Sequence, residues 1–271
     1  MKNIIVSGGF DDIRSIDIRF LQEAASLGKL DVLLWPDETF TSFYGHPPKF
    51  PFLERQYFLS SIRFVNSVLA DYNNIQPDSL PEEILPKYTT LCVTENMHSP
   101  EKLRFCQSNN LEYVIIKSQQ LQGFPLPPPL PITNNSKKVV VTGCFDWLHS
   151  GHIRFFEEVS RLGSVFAIVG HDQNIRDLKG PNHPMFNQHE RRYCVAAIKF
   201  VTDTLISSGH GWLDAEPEIL KLKPDIYAVN EDGDRPEKRK FCEKHGINYI
   251  VLKRLPKNGL PPRSSTNLRG F

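Results

Sequence analysis

The sequence predicts an α/β protein of two tandem domains, each a parallel sheet with helices on both faces, and three observations carry that prediction. The first is an internal repeat. Residues 6–20 read VSGGFDDIRSIDIRF and residues 141–155 read VTGCFDWLHSGHIRF, with eight of fifteen positions identical at an offset of 135. Leu27-Gly28 answers Leu162-Gly163 at the same offset. After a one-residue shift, Glu54-Arg55 answers Glu190-Arg191, Phe64-Val65 answers Phe200-Val201, and Pro100-Glu101-Lys102 answers Pro236-Glu237-Lys238. Chance similarity does not hold register over such a distance, so these are two copies of one unit. The second observation is the alternation of β-branched runs with amphipathic ones inside each copy, the pattern of a parallel sheet covered by helices. The third is the proline-rich stretch 123–137 between the copies, which reads as an extended, semi-rigid linker. Domains are therefore expected at 1–122 and 138–271.

The elements of the second copy follow in order. The β-branched run 139–141 suits a buried strand. A loop, Thr142 to Asp146, leads to an amphipathic helix over about 151–162, with Ile153, Phe155, Phe156, Val159 and Leu162 on its apolar side and Gly163 as its stop. Residues 165–169 form a second strand. Residues 236–245 read as a helix closed by Gly246, and 249–252 as a strand. Lys179 falls in a polar stretch containing Gly and Pro and reads as a loop residue. Ligands of such sheets sit beyond the carboxyl ends of the strands, where the strand order reverses.

Composition narrows the function. The chain has 271 residues, 40% hydrophobic and 23% charged, ordinary values for a globular protein. Its 32 basic and 31 acidic residues leave no electrostatic footprint for a polyanion, so a nucleic-acid partner is disfavoured. No apolar run approaches the length of a membrane span. The N-terminus enters an apolar run without a signal-peptide pattern, so a cytoplasmic location is expected. The five cysteines form no close pair with metal-ligand spacing and read as reduced thiols, with no protein-held metal site.

The chemistry concentrates at His149-Ser150-Gly151-His152, where a helix should begin. Helix N-termini present unpaired N–H groups and partial positive charge, and so favour phosphate. Two histidines three residues apart lie on neighbouring faces and can address one anion, while Gly151 permits close backbone approach. The segment Gly143-Cys144-Phe145-Asp146-Trp147-Leu148-His149-Ser150-Gly151-His152 resembles the signature of the HxGH nucleotidyltransferase superfamily, specifically its cytidylyltransferase branch. Arg263-Ser264-Ser265-Thr266 fits that superfamily's late Ser/Thr turn. The stretch from Lys179-Gly180 to Glu190-Arg191 resembles its Lys-Gly…Glu-Arg segment. The tandem arrangement is most similar to ethanolamine-phosphate cytidylyltransferases.

The resemblance implies two Rossmann-like domains and an in-line attack of an acceptor phosphate on the α-phosphorus of a nucleoside triphosphate, with Mg²⁺ accompanying the nucleotide. It implies catalytic roles for His149, His152, Lys179, Arg191 and Thr266. Nucleotide contacts fall to Gly143, Cys144, Phe145, Asp146, Gly151, Asp232, Arg263, Ser264 and Ser265. Asp146 reads equally as a loop cap. The family usually has Gly-Asp-Asp where this chain has Asn230-Glu231-Asp232. Trp212 reads as pocket lining or core, and His171 as a neighbour of the pocket; His183, His189 and His210 read as surface or structural. The implied substrates are CTP (or ATP) and a small phosphorylated acceptor of the phosphoethanolamine kind. A choline-like acceptor would ask for an aromatic cage, for which Trp147 and Tyr193 are candidates.

The first copy departs from this pattern. Arg14 stands opposite His149, Ile16 opposite Gly151, Asp17 opposite His152 and Phe43 opposite Lys179. Pro127 stands opposite Arg263, with no Ser-Ser-Thr following. An aspartate at a phosphate-facing helix start repels substrate, so this copy is expected to be inactive. Two other readings stay open for the chain: an adenylyltransferase acting on a sugar phosphate, and a nucleotide-binding regulator without catalysis. Its assembly is open too, as an internal pseudo-dimer or a homodimer.

Overall fold

A computed structural model describes residues 2–73, 75–133 and 136–268. The chain divides into two compact units, Met1–Phe124 and Pro125–Phe271. The division falls inside the proline-rich stretch, because Leu130 donates its N–H to the Thr202 carbonyl at 2.9 Å and so belongs with the second unit. Each unit is an α/β layer structure with one parallel five-stranded sheet flanked by helices.

In the first unit the strands are Asn3–Gly8 (β1), Lys29–Leu34 (β2), Ser67–Leu69 (β3), Thr90–Thr94 (β4) and Glu112–Ile116 (β5), in the order β3-β2-β1-β4-β5. Ser15–Ser26 (α1), Asp37–Tyr44 (α2), Phe52–Ser60 (α3) and Pro100–Ser108 (α4) connect them. In the second unit Lys138–Gly143 (β6), Ser164–Val169 (β7), Asp203–Ile206 (β8), Ile226–Asn230 (β9) and Asn248–Leu252 (β10) form β10-β9-β6-β7-β8. Its helices are Ser150–Val159 (α5), Asp172–Lys179 (α6), Gln188–Ala196 (α7), Glu216–Leu222 (α8), Pro236–His245 (α9) and the short Ser265–Leu268 (α10). The two orders are the same sequence of connections. Strand order reverses at β1 and at β6, which places the loops after β6 and β9 side by side at the crevice.

Burial explains the strands. Val139, Val140 and Val141 have no exposed surface, as do Ala167, Ile168 and Val169 on the neighbouring strand. In the second unit Val140, Ile168, Ile219, Tyr227, Val229 and Phe241 belong to one apolar cluster between sheet and helices. Its counterpart in the first unit contains Ile5, Leu33, Trp35, Leu91 and Val93. The repeat extends to backbone detail. A Cβ on Gly28 would lie 2.2 Å from the Lys2 carbonyl oxygen, and one on Gly163 would lie 2.1 Å from that of Lys137. Phe10 and Phe145, at matching positions, both adopt left-handed φ, at 46° and 51°.

Two expectations change. The helix read over 151–162 ends at Val159, beyond which the bonds tighten to three-residue turns, Arg161 N–H to the Glu158 carbonyl and Leu162 N–H to that of Val159. Lys179 is not in a loop: it is the last residue of α6, which Gly180 stops at φ 95°. Because α2 and α6 share the 135 offset through their whole length, Tyr44 rather than Phe43 stands opposite Lys179. All five cysteines are free.

Candidate active site

A cavity of about 580 Å³ opens at the switch point of the second sheet. Its walls come from the loop after β6, the start of α5, the end of α6, the loops after β8 and β9, Arg254 beyond β10, and α10.

His149 occupies the N-cap of α5, with extended backbone at φ −145° and ψ 172°. Its Nδ1 accepts the Gly151 N–H at 3.1 Å, so that nitrogen carries no proton and the neutral ring holds its proton on Nε2. Nε2 is buried and has no partner in the protein, a donor without an acceptor. The His152 ring stacks on His149 with centroids 4.0 Å apart, and its Nδ1 is buried and unpartnered as well. A hydrogen bond to the Trp147 carbonyl holds the ring, and Phe145 packs against it edge-on at 5.5 Å. The left-handed turn at Phe145 delivers that contact. Gly151 leaves room beside it: a Cβ there would lie 3.0 Å from the His149 ring, which would have to give by a few tenths of an ångström.

Both rings are held neutral. Burial, with Arg254 and Arg263 nearby, pushes His149 from 6.5 down to about 3. Burial, His149, Arg254 and Lys179 drive His152 well below its ordinary value. The consequence for stability has a definite sign. Between pH 6.5 and about 3 an unfolded His149 binds more protons than the folded one, so the fold loses stability as pH falls through that window. His149→Asn keeps a good N-cap and is expected to flatten the acid side of a plot of Tm against pH. An unchanged acid limb would remove His149 as its source.

The expected site residues divide. Gly143, Cys144, Phe145, Asp146, His149, Gly151, His152, Lys179, Asp232, Ser265 and Thr266 all border the cavity. Lys179 reaches it from the C-terminus of α6, exposed at its mouth. Arg263 and Ser264 instead border a smaller cavity of about 240 Å³ on the other side of Gly151. The Arg263 carbonyl accepts from Arg254 at 3.1 Å, and the Ser265 hydroxyl donates to the Trp147 carbonyl at 3.4 Å. Asp232 pairs with the guanidinium of Arg254.

Arg191 is a correction. It is 1% exposed and does not border the cavity. Its guanidinium donates to the carbonyls of Cys144, Phe186 and Gly170, and to Asp172 at 2.7 Å, tying three loops together. Arg55 does the same in the first unit, donating to Gly9, Phe50, Trp35 and Asp37. The same clamp recurs in both units, so these contacts are accounted for by the fold, and they leave the Arg191 guanidinium turned away from the cavity. Asp146 shares this logic. Its carboxylate accepts the N–H groups of Met185 and Phe186, as Asp11 accepts those of Lys49 and Phe50. Of its two readings, the loop cap is the one its contacts satisfy.

Other expectations also move. His171 caps α6, with Nδ1 accepting from Asn174 and Nε2 donating to the Gly209 carbonyl at 2.8 Å, and it does not border the cavity; His183, read as surface or structural, does. Tyr193 is fully buried and Trp147 packs on Phe186, so neither builds an aromatic cage. Trp212 is 48% exposed and borders the cavity, which excludes it from the core. Sequence reading missed the cations Arg235, Lys238 and Arg254. Lys238 was visible only as a shared position: Lys102 donates to the Met97 carbonyl at 3.0 Å where Lys238 donates to that of Gly233 at 3.3 Å.

The first unit carries different side chains at the matching positions. Trp35 stands where the second unit has Gly170, is fully buried, and donates its indole N–H to Ser7 at 2.8 Å. Arg14 pairs with Asp12 at 2.8 Å, and Asp17 accepts the Arg14 backbone N–H at 2.8 Å. Burial pushes the Asp17 carboxyl up to about 6.

Comparison with known proteins agrees with this location. The cytidylyltransferase-like family model matches residues 140–270. An FAD synthase from Archaeoglobus profundus is 35% identical over 134 residues, covering 48% of this chain and 83% of that protein. Another, from Pyrococcus horikoshii, is 34% identical over 123 residues, 44% of this chain and 80% of its own length. The bifunctional protein HldE of Campylobacter jejuni is 36% identical over 104 residues, 37% of this chain but 22% of that protein. The specific likeness to ethanolamine-phosphate cytidylyltransferases that the tandem arrangement implied is not among these matches.

Proposed function

This chain belongs to the cytidylyltransferase-like family of nucleotidyltransferases, and from that premise we propose that its second unit transfers an adenylyl group from ATP to a phosphomonoester, releasing pyrophosphate. One observation carries the reading: two neutral, stacked histidines, each with an orphaned buried nitrogen, at a helix start that borders a cavity of nucleotide size. Buried polar groups are normally satisfied: a phosphate oxygen would accept from His149 Nε2–H directly, and from His152 Nδ1 once that nitrogen gains a proton. ATP is preferred over CTP because an FAD synthase builds a dinucleotide whose nucleobase is adenine, and FAD synthases are close in sequence over this unit.

In this reading the acceptor phosphate attacks the α-phosphorus in line, a P–O bond forms, and the bond to the bridging oxygen breaks as pyrophosphate leaves. Catalysis of this kind is mostly positioning and charge stabilisation. His149 Nε2–H donates to a phosphate oxygen, and nucleotide charge raises the affinity of His152 Nδ1 for a proton so that it donates too. Lys179 and Arg254 neutralise charge at the cavity mouth, and Ser265 and Thr266 hold the departing phosphates. The carboxylates bordering the cavity are engaged: Asp146 by backbone, Asp214 by Ser207 at 2.6 Å and Asp232 by Arg254. That donor set fits Mg²⁺ arriving as the nucleotide chelate, held by phosphate and water, where it would neutralise triphosphate charge. The first unit, with Arg14 and Asp17 where the second has the two histidines, serves as a scaffold and does not turn over nucleotide.

The test is pyrophosphate release by the full chain with Mg²⁺, comparing ATP with CTP against FMN, sugar phosphates and phosphoethanolamine. Release with ATP supports the proposal, and release with CTP and phosphoethanolamine alone overturns its nucleotide assignment. No release and no nucleotide binding would overturn it altogether.

A further inference from the structure

We propose that Arg235, stacked on Trp212, selects the acceptor, restricting it to phosphomonoesters whose remaining portion is uncharged or anionic. This rests on the nucleotidyltransferase reading of the second unit. The guanidinium lies 4.6 Å from the Trp212 ring centroid, and both residues border the main cavity. Trp212 is held in place by a built support rather than by the core. Asn174, 2% exposed, accepts the Gly211 N–H at 2.7 Å and donates to the Gly211 carbonyl at 3.1 Å, fixing the residue before the indole.

Arg235 sits where a helix would be better served by another residue. It is the N-cap of α9 and makes no side-chain cap. At the corresponding position of the first unit, Ser99 caps α4 by accepting the Lys102 N–H at 3.1 Å. Arginine at this position forgoes a stabilising cap, and the stacking geometry accounts for what it does instead. Its Nη1 donates to the carbonyls of Asp232 and Asp234 at 3.3 and 2.8 Å, while Nε and Nη2 have no partner among the described residues. Among the described residues, the carboxylates bordering the cavity, Asp146, Asp214 and Asp232, are engaged elsewhere.

The chemistry of selection follows. An indole face is a good seat for an ammonium group, but here a guanidinium already covers it. A cationic acceptor such as phosphoethanolamine or phosphocholine would lose that seat and meet a like charge. A phosphate oxygen, by contrast, would receive charge-assisted hydrogen bonds from the unpartnered edge of the guanidinium. Lys238, 7% exposed and donating to Thr142 at 3.5 Å, supplies a second positive charge in the same wall.

The test uses the full chain with ATP and Mg²⁺ and four probes: FMN, ribose 5-phosphate, phosphoethanolamine and phosphocholine. Wild type is expected to favour FMN or ribose 5-phosphate over both amino-alcohol phosphates by about tenfold or more in kcat/KM. Arg235→Gln is expected to raise the KM of the favoured acceptor by about 10- to 100-fold, the loss of a charged hydrogen bond. The KM for ATP should stay within about twofold, and Arg235→Lys should recover only part of the loss. An unchanged acceptor KM in Arg235→Gln, or wild-type preference for phosphoethanolamine, overturns the proposal. If no probe releases pyrophosphate, the nucleotidyltransferase reading fails separately, and tryptophan fluorescence then decides the role of Arg235. A change on adding FMN or ribose 5-phosphate that disappears in Arg235→Gln supports anion selection, and an equal response, or none, in both proteins overturns it.

Discussion

His152→Ala is expected to lower kcat/KM for pyrophosphate release by about 10²- to 10³-fold, the usual loss when one preorganised donor to developing charge is removed. The Tm should fall by a few degrees at most: the stacking on His149 and the bond to the Trp147 carbonyl are lost, but the ring borders the cavity and its buried Nδ1 already lacks a partner. A structural histidine would behave in the opposite way, costing stability with little change in turnover per folded molecule. His149→Ala separates less cleanly, since it also removes the cap on Gly151. His149→Asn is the better companion: it preserves an N-cap acceptor and removes the Nε2–H. Both variants should lose activity while circular dichroism and melting stay near wild type. Wild-type turnover by His152→Ala would sink the proposed role of the pair.

Much of the fold was legible because the repeat supplies its own internal comparison. The register of residues 6–20 against 141–155 marks the strand, the left-handed turn and the helix start in both units, and both sheets adopt the same strand order. The same comparison also separates support from chemistry, once the partners of each side chain are seen. Asp11 with Asp146, Arg55 with Arg191, and Lys102 with Lys238 persist in both units and hold loop backbone in both. His149, Gly151, His152 and Lys179 have no counterpart in the first unit, and all border the cavity of the second.

What sequence could not show was direction. Arg191 and Arg254 are equally plausible phosphate ligands on charge alone. Arg191 turns inward because α7 places it beneath three carbonyl-lined loops, whereas Arg254 follows β10 and reaches the cavity. Spacing gave no sign either that Arg235 would lie across Trp212. The two are joined by packing of the short turn after β8 on the start of α9, a contact with no sequence periodicity.

Arg191→Met supplies the sharpest test of that inward turn. Methionine fills similar volume but leaves the Cys144, Phe186 and Gly170 carbonyls and the Asp172 carboxylate without their shared donor. Breaking a buried, hydrogen-bonded charge network commonly costs about 3–5 kcal/mol. In a unit of this size such a loss should lower the Tm of the second unit by on the order of 10 °C. Arg55→Met is expected to produce a comparable drop in the first unit, since its guanidinium holds the matching carbonyls of Gly9, Phe50 and Trp35. The paired variants discriminate between the two roles. A phosphate ligand at Arg191 would make Arg191→Met inactive at unchanged Tm, and Arg55→Met would then be unremarkable in both measurements. The clamp requires instead that both variants melt early and that Arg191→Met, assayed well below its transition, retain most of its turnover. Differential scanning calorimetry alongside pyrophosphate release at low temperature reads both quantities from one preparation.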